Sequence, residues 1–226
     1  MNNRPLQEGE LYEERFGFRE RNSTFRFLVV FLALVLALLG FRIFWASTFG
    51  GVVVDGGSMN QTLSNGDELL MRYVSEKRFP KRGDVIVVYV GDYAECKDVS
   101  SGFLIKRLIA TAGDSLYCID GQIYIRYDGE KDYVPLYEPY AYYGANDNYK
   151  DEYDFASYQD PYVVGEDEVF FLGDNRSWSG SSIDSRYRQY PHGSHLQDRL
   201  YKKADVYGVV PDWAIKRQKT LSKIFF

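Results

Sequence analysis

Val53-Val54-Asp55-Gly56-Gly57-Ser58-Met59 carries an apolar, β-branched run into a glycine turn with a serine on its far side. Valine-rich runs favour strands, and Gly-Gly-Ser ends one. Glycine lets backbone approach a bound group closely, so Ser58 can present its hydroxyl on an exposed edge. Taken alone, the stretch equally describes an ordinary turn leaving a strand. Its chemical reading comes from a second stretch, Phe103-Leu104-Ile105-Lys106-Arg107-Leu108-Ile109, which sets a lysine inside an apolar, strand-like run. A serine nucleophile needs a base, and a buried lysine can serve as one.

Around these two stretches, short β-branched runs follow one another at 52–54, 68–73, 85–89, 103–110, 116–119, 122–126, 169–172 and 206–210, and each reads as a strand. Asp120-Gly121 between two of them is a two-residue hairpin signal. Gly66-Asp67, Gly83-Asp84 and Gly113-Asp114 each stand just before a run, as tight turns do. The fold class expected is mainly β, with little helix beyond an N-terminal anchor.

The anchor lies upstream. Residues 1–24 are polar and mixed in charge and read as a tail. From 27 to 41 no charge interrupts the apolar run, and Ile43-Phe44-Trp45 carry it past Arg42 towards Phe49. A bilayer core needs roughly 20 helical residues. Arg42 can snorkel to the headgroups, and Trp45 suits the interface. The preceding tail is long for a cleaved signal peptide, so a permanent transmembrane helix over 25–49 is expected. Arginines at 15, 19, 21 and 26 precede the span, and after Arg42 no Lys or Arg occurs until Arg72. The positive-inside tendency places the N-terminus in the cytoplasm and residues 50–226 on the outer face of the cell membrane.

A chain of 226 residues holds one well-cored domain plus such an anchor. Its formal charge of −5 argues against a nucleic-acid-binding surface. Much of the acidity is concentrated at 127–162, which also holds ten of the 20 tyrosines. This weakly periodic stretch reads as an insertion between strands, either solvated decoration or, since tyrosine offers contact area at low entropic cost, a surface for an unknown partner. Decoration is the expectation. Two cysteines, Cys96 and Cys118, and two histidines, His192 and His195, are too few and scattered for a metal site. A Cys96–Cys118 disulfide is permitted outside the cytoplasm, and buried thiols fit equally.

A final stretch, Gly173-Asp174-Asn175-Arg176 followed by Ser177 to Arg186, runs from an apolar strand into a turn dense with hydroxyls and Asp/Arg sets. With it, the chain from Val52 to about Val210 resembles bacterial type I signal peptidase, the membrane-anchored Ser/Lys endopeptidase that removes signal peptides from exported preproteins. Gly56-Gly57-Ser58-Met59 with Thr62-Leu63 and Gly66-Asp67 resembles its nucleophile box. Arg82 to Ile86, Lys106-Arg107 with Gly113-Asp114, and Gly173 to Arg176 with Asp184-Ser185-Arg186 resemble the boxes that follow.

The resemblance implies Ser58 as nucleophile, Lys106 as general base and Ser182 as the residue orienting the lysine, with Ser179, Ser181 and Ser185 close by on the same stretch. Met59, Leu63 and Leu104 would lie near pockets for small substrate side chains. Arg107, Gly173, Asp184 and Arg186 would be structural. It also implies preprotein signal peptides as substrates, small residues at −1 and −3, a β-rich core close to membrane lipid, and no metal or organic cofactor.

Three kinds of departure from the family pattern stand in the sequence. Gln61 stands where proline is usual, and Ala112 likewise precedes Gly113, so both turns are expected to lose a φ restraint and keep their path. Seven residues separate Arg176 from Asp184, against about four in familiar members. Gly56 replaces a hydroxyl that helps hold the oxyanion in some members, leaving the Ser58 backbone N–H as the candidate donor.

Overall fold

The computed structural model describes residues 8–92, 99, 101–145, 154–177 and 201–225. Cys96, Ser179, Ser181, Ser182, Asp184, Ser185, Arg186, His192 and His195 lie outside the described residues. The chain divides into two compact units, Met1–Thr48 and Phe49–Phe226.

Over its described residues the first unit is a single helix, α1 (Glu8–Thr48). It begins inside the segment that reads as a tail, because Glu8, Glu10, Glu13, Glu14 and Arg15 are good helix formers. Within it Ser23–Thr48 is long and apolar enough to cross a membrane, with a mean hydropathy of 2.8. Its 26 residues rise about 39 Å at 1.5 Å each, against a hydrocarbon core of about 30 Å. Phe27, Leu28, Val29 and Val30 are all exposed, so the helix is apolar on every side and fits a single-pass anchor.

The second unit opens with β1 (Phe49–Val53), which starts three residues earlier than its valines indicate. Then come β2 (Glu68–Tyr73), β3 (Val85–Tyr89), β4 (Phe103–Thr111), β5 (Ser115–Ile119), β6 (Gln122–Arg126), β7 (Val134–Pro135), β8 (Tyr162–Val163), β9 (Val169–Leu172) and β10 (Val206–Val210). A six-stranded sheet runs β1-β2-β10-β3-β4-β9, and a four-stranded one runs β7-β6-β5-β8. All pairings within both are antiparallel. On one side of β3, Val85 and Val87 pack with Met59, Leu63 and Leu69. On the other, Ile86 and Val88 pack with Leu108, Phe171 and Tyr201. Val85–Val88 are therefore buried without the alternation of a half-exposed strand.

Asp120 and Gly121 take φ of 51° and 71° between β5 and β6, the left-handed pair of a type I′ hairpin. The three Gly-Asp turns are one device used three times. In each the glycine takes φ between 84° and 89°. The aspartate amide bonds back to Ser64, Lys81 or Thr111, and its carboxylate accepts from the amide of that same residue at 2.7, 2.8 and 2.9 Å respectively.

Two expectations are corrected. A second helix, α2 (Asp212–Phe225), follows β10. Pro211 ends the strand and its carbonyl accepts from Ala214 at 2.9 Å, while Asp212 suits the positive end of the helix dipole. Ala214 and Ile215 are buried, and Gln218 on the same face donates to Asp67 at 3.1 Å. The segment 127–162, read as solvated decoration, is built into the core over its described part. Tyr143, Phe155 and Tyr162 are buried, Phe155 bridges Cys118, and Asp154 takes both amides of the Asp120-Gly121 turn at 3.0 Å. Its aromatic rings bring enough apolar area to outweigh an acidic composition. Cys118 is buried in β5.

Candidate active site

The loop after β1 is held at both ends. Val54 is clamped in the Asp67/Gly66 turn by backbone bonds of 2.9 and 2.8 Å. Gly56, at φ 91°, donates its amide to Asn65 Oδ1 at 2.8 Å. Beyond Ser58 the Met59 carbonyl accepts from Thr62 and Leu63 at 3.0 and 2.8 Å, making a helical turn that drives Met59 and Leu63 into the core. Ser58 stays half-buried between these anchors.

Gln61 lies in this turn at φ 82°, a conformation that proline cannot adopt. The path therefore differs from that of a proline-containing turn, which corrects the expectation that only a restraint is lost. Ala112 shows no such departure, as its φ is not positive.

Ser58 opens on a groove of about 670 Å³. The end of β1 and the start of β4 contribute to its walls through Val52, Val54, Leu104 and Ile105. Met59 also lines it, whereas Leu63 belongs to the core beneath the loop. Lys106 follows Ile105 in β4, fully buried and opposite Ile86 of β3.

The stretch after β9 joins the two. Leu172 pairs with Arg107, next to Lys106. Gly173 packs so closely on the Ser58 loop that a Cβ there would lie 2.6 Å from the Ser58 carbonyl oxygen and 3.5 Å from Ser58 Cβ. Asn175 donates its backbone amide to the Ser58 carbonyl and its side-chain amide to the Gly57 carbonyl, each at 2.9 Å.

Charge is concentrated beneath this turn. Asp174 is fully buried and accepts from Arg107 Nε at 2.8 Å, Arg107 Nη2 at 2.5 Å and Thr62 Oγ1 at 2.5 Å. Arg107 also donates to the Gly83 carbonyl at 2.6 Å and lies 3.9 Å from the centre of the Tyr140 ring. Burial works against this guanidinium, but the hydrogen bonds and charge of Asp174 offset it and leave its pKa above the ordinary value. Thr62, Asp174 and Asn175 stand in the quoted sequence boxes with no role assigned to any of them, and Tyr140 stands in none. A buried arginine inside an apolar strand is the signal that demands a partner such as Asp174.

Arg176 is buried in an ion pair with Glu138 at 2.5 Å, and its Nε donates to the Gly173 carbonyl at 2.7 Å. Burial chiefly pushes the Tyr143 phenol up to about 12, with Arg176 pulling the other way. The same cause raises Tyr140 further.

A family model described as "Signal peptidase, peptidase S26" matches residues 24–211. A signal peptidase I of Bacillus licheniformis is 32% identical over 178 residues, covering 76% of this chain and 83% of the relative. A probable signal peptidase I-2 of Synechocystis is 29% identical over 169 residues, covering 74% and 66%. Among solved structures, a signal peptidase I from Enterococcus faecalis aligns with a TM-score of 0.40 at 27% identity, over 58% of this chain and 97% of its own. The class is that of serine endopeptidases. Within it, the chain belongs to the signal peptidase, peptidase S26 family.

Proposed function

We propose that this protein is a membrane-anchored endopeptidase that cleaves signal peptides from exported preproteins through a Ser58/Lys106 dyad. The observation that carries this reading is the packing of Gly173 and Asn175 on the Ser58 backbone, in a turn whose preceding strand pairs Leu172 with Arg107, the neighbour of Lys106. A serine on a groove, a fully buried lysine and the turn that follows β9 are thereby tied to one framework. The names of the relatives supply the substrate class.

In the reaction, neutral Lys106 Nζ takes the proton from Ser58 Oγ as that oxygen bonds to the carbonyl carbon before the scissile bond. The oxyanion is held by the Ser58 backbone N–H. The C–N bond then breaks, and the departing amine takes the proton from the Lys106 ammonium. Water, deprotonated by the same lysine, attacks the acyl-enzyme and returns Ser58 to its hydroxyl form. A positioned base contributes about 10²–10⁴-fold and one oxyanion donor about 10²–10³-fold. The family resemblance assigns Ser182 to orient the lysine and gives Asp184 and Arg186 structural roles. Small side chains at −1 and −3 sit in the groove beside Met59 and Leu104. Residues 1–24 lie in the cytoplasm, 25–49 span the membrane, and 50–226 form the catalytic domain outside.

The test is cleavage of a reporter preprotein by the purified full-length enzyme and by Ser58→Ala, Lys106→Ala, His192→Ala and His195→Ala, with N-terminal sequencing of the product. Loss in the first two alone is expected. An active Ser58→Ala enzyme overturns the dyad. For topology, external protease on intact cells should reach the catalytic unit and spare the tail.

A further inference from the structure

We propose that Glu138, in the tyrosine-rich segment, is a positioning residue for the catalytic turn, acting through Arg176 on Gly173 and so on Ser58. This rests on the reading of Ser58 as nucleophile and adds a residue that the family boxes do not contain.

The Arg176 side chain has no exposed surface and that of Glu138 only 6%. One end of the guanidinium is held by the segment: Nη2 lies 2.5 Å from Glu138 Oε1, and Nη1 lies 3.4 Å from Oε2 and 3.0 Å from the Tyr143 hydroxyl. That hydroxyl donates onward to the Gly121 carbonyl at 2.6 Å, which ties the fork to the Asp120-Gly121 hairpin turn. The other end, Nε, donates to the Gly173 carbonyl at 2.7 Å. A rigid planar fork transmits position from one end to the other in a way that a flexible ammonium does not.

Gly173 has no slack to absorb an error, because a Cβ there would already overlap the Ser58 carbonyl oxygen. The backbone repeats the layering. Tyr142 donates to the Asp174 carbonyl at 2.8 Å and accepts from the Arg176 amide at 2.6 Å, while Asn175 bonds to Ser58 on the other side. The turn is thus held between the tyrosine-rich segment and the nucleophile loop.

Charge sharpens the role. Arg176 lies near enough to Arg107 to lower its proton affinity. Asp174 answers one cation and Glu138 the other. Asp174 is already engaged by Arg107 and also holds Thr62 in the nucleophile loop, so Glu138 is the carboxylate bonded to Arg176. Glu138 further accepts from the Tyr140 hydroxyl at 3.2 Å, and the Tyr140 ring covers Arg107. Glu138 thus holds Arg176 directly and reaches Arg107 only through the Tyr140 ring.

The experiment compares full-length wild type, Glu138→Gln, Glu138→Asp, Arg176→Lys and the Glu138→Gln/Arg176→Lys double variant in detergent micelles, using a short peptide that spans a cleavage site. Rates are normalised to folded enzyme. Misplacement of a reacting group by about 1 Å can cost about 10²-fold. Glu138→Gln is therefore expected to lower kcat by about ten-fold or more, with KM within about two-fold and the acid limb of the pH profile unmoved. Glu138→Asp should recover part of the loss, and the double variant should be no worse than its poorer parent. If Glu138→Gln does not accumulate, Glu138→Asp and Arg176→Lys decide by the same kcat measurement. A normal kcat per folded molecule in these variants, or losses that multiply in the double variant, overturns the proposal. Failure of the dyad itself is separate, since it shows as activity in Ser58→Ala whatever the Glu138 variants do.

Discussion

The backbone amide of Asn175 donates to the carbonyl oxygen of Ser58 at 2.9 Å. The orientation of the Asn175 side chain is set as well, since its Oδ1 accepts from the Ser177 amide at 3.2 Å and hydroxyl at 2.7 Å, leaving Nδ2 to hold the Gly57 carbonyl. Two successive carbonyls of the Ser58 loop are thus bonded to one residue of a distant turn. The orientation of Ser58 is consequently as good as the placement of that turn.

Gly173→Ala tests this contact directly. The new methyl meets backbone, the Ser58 carbonyl oxygen at 2.6 Å, so the loop must move. Overpacking of this kind costs about 1–3 kcal/mol. A kcat reduced by about ten-fold or more is expected, beyond any change in Tm. Normal turnover on a peptide substrate would show that the loop tolerates the shift.

Asp174→Asn leaves the buried Arg107 guanidinium facing a neutral amide. Breaking a buried pair from one side costs about 3–5 kcal/mol, whereas Thr62→Val removes a single bond to a charged acceptor, about 1.5–3 kcal/mol. Urea denaturation midpoints should rank Asp174→Asn well below Thr62→Val. The reverse order would mean that the ion pair contributes little.

Tyr143 supplies a pH dependence. Burial holds its phenol at about 12, above the ordinary 10 of an exposed tyrosine. A raised pKa in the folded state means that this contribution to stability is complete below pH 10 and is lost as pH rises through about 12. Tyr143→Phe should be less stable at neutral pH by about 1–3 kcal/mol, since the Gly121 carbonyl loses its donor. Its stability should then fall less steeply than wild type between pH 10 and 12. Parallel curves from thermal melts across that window would contradict the assignment.

As the base of the proposed dyad, Lys106 is expected to govern the acid side. An exposed lysine titrates near 10.4, and only about one molecule in 2,500 is neutral at pH 7. Lys106 is instead fully buried. Activity is expected to fall along a limb on acidification, as that base takes up a proton. Lys106→Arg, charged at every working pH, should be inactive, and His192→Ala or His195→Ala should keep the limb. A limb that disappears with either histidine transfers the role of base from Lys106.

The sequence alone determined the strands β2, β3, β6, β9 and β10 to the residue, the Asp120-Gly121 hairpin and the three Gly-Asp turns. Each depends on neighbours within a few positions, where β-branched runs and turn chemistry act. It also named Ser58, Lys106 and Arg107 as candidates, through the boxes in which they stand. The helix α2 escaped because its apolar face is short and finds its meaning only against Asp67 and the β2 side of the sheet. Only the tertiary structure decided that the acidic, tyrosine-rich segment is a brace, that Gln61 turns left-handed, and that Asp174 answers both Arg107 and Thr62. Those partners are 67 and 112 positions away from Asp174, and Glu138 is 38 from Arg176. A buried charge announces that it needs a counter-charge, but which one reaches it is settled only when the sheets have brought distant segments together.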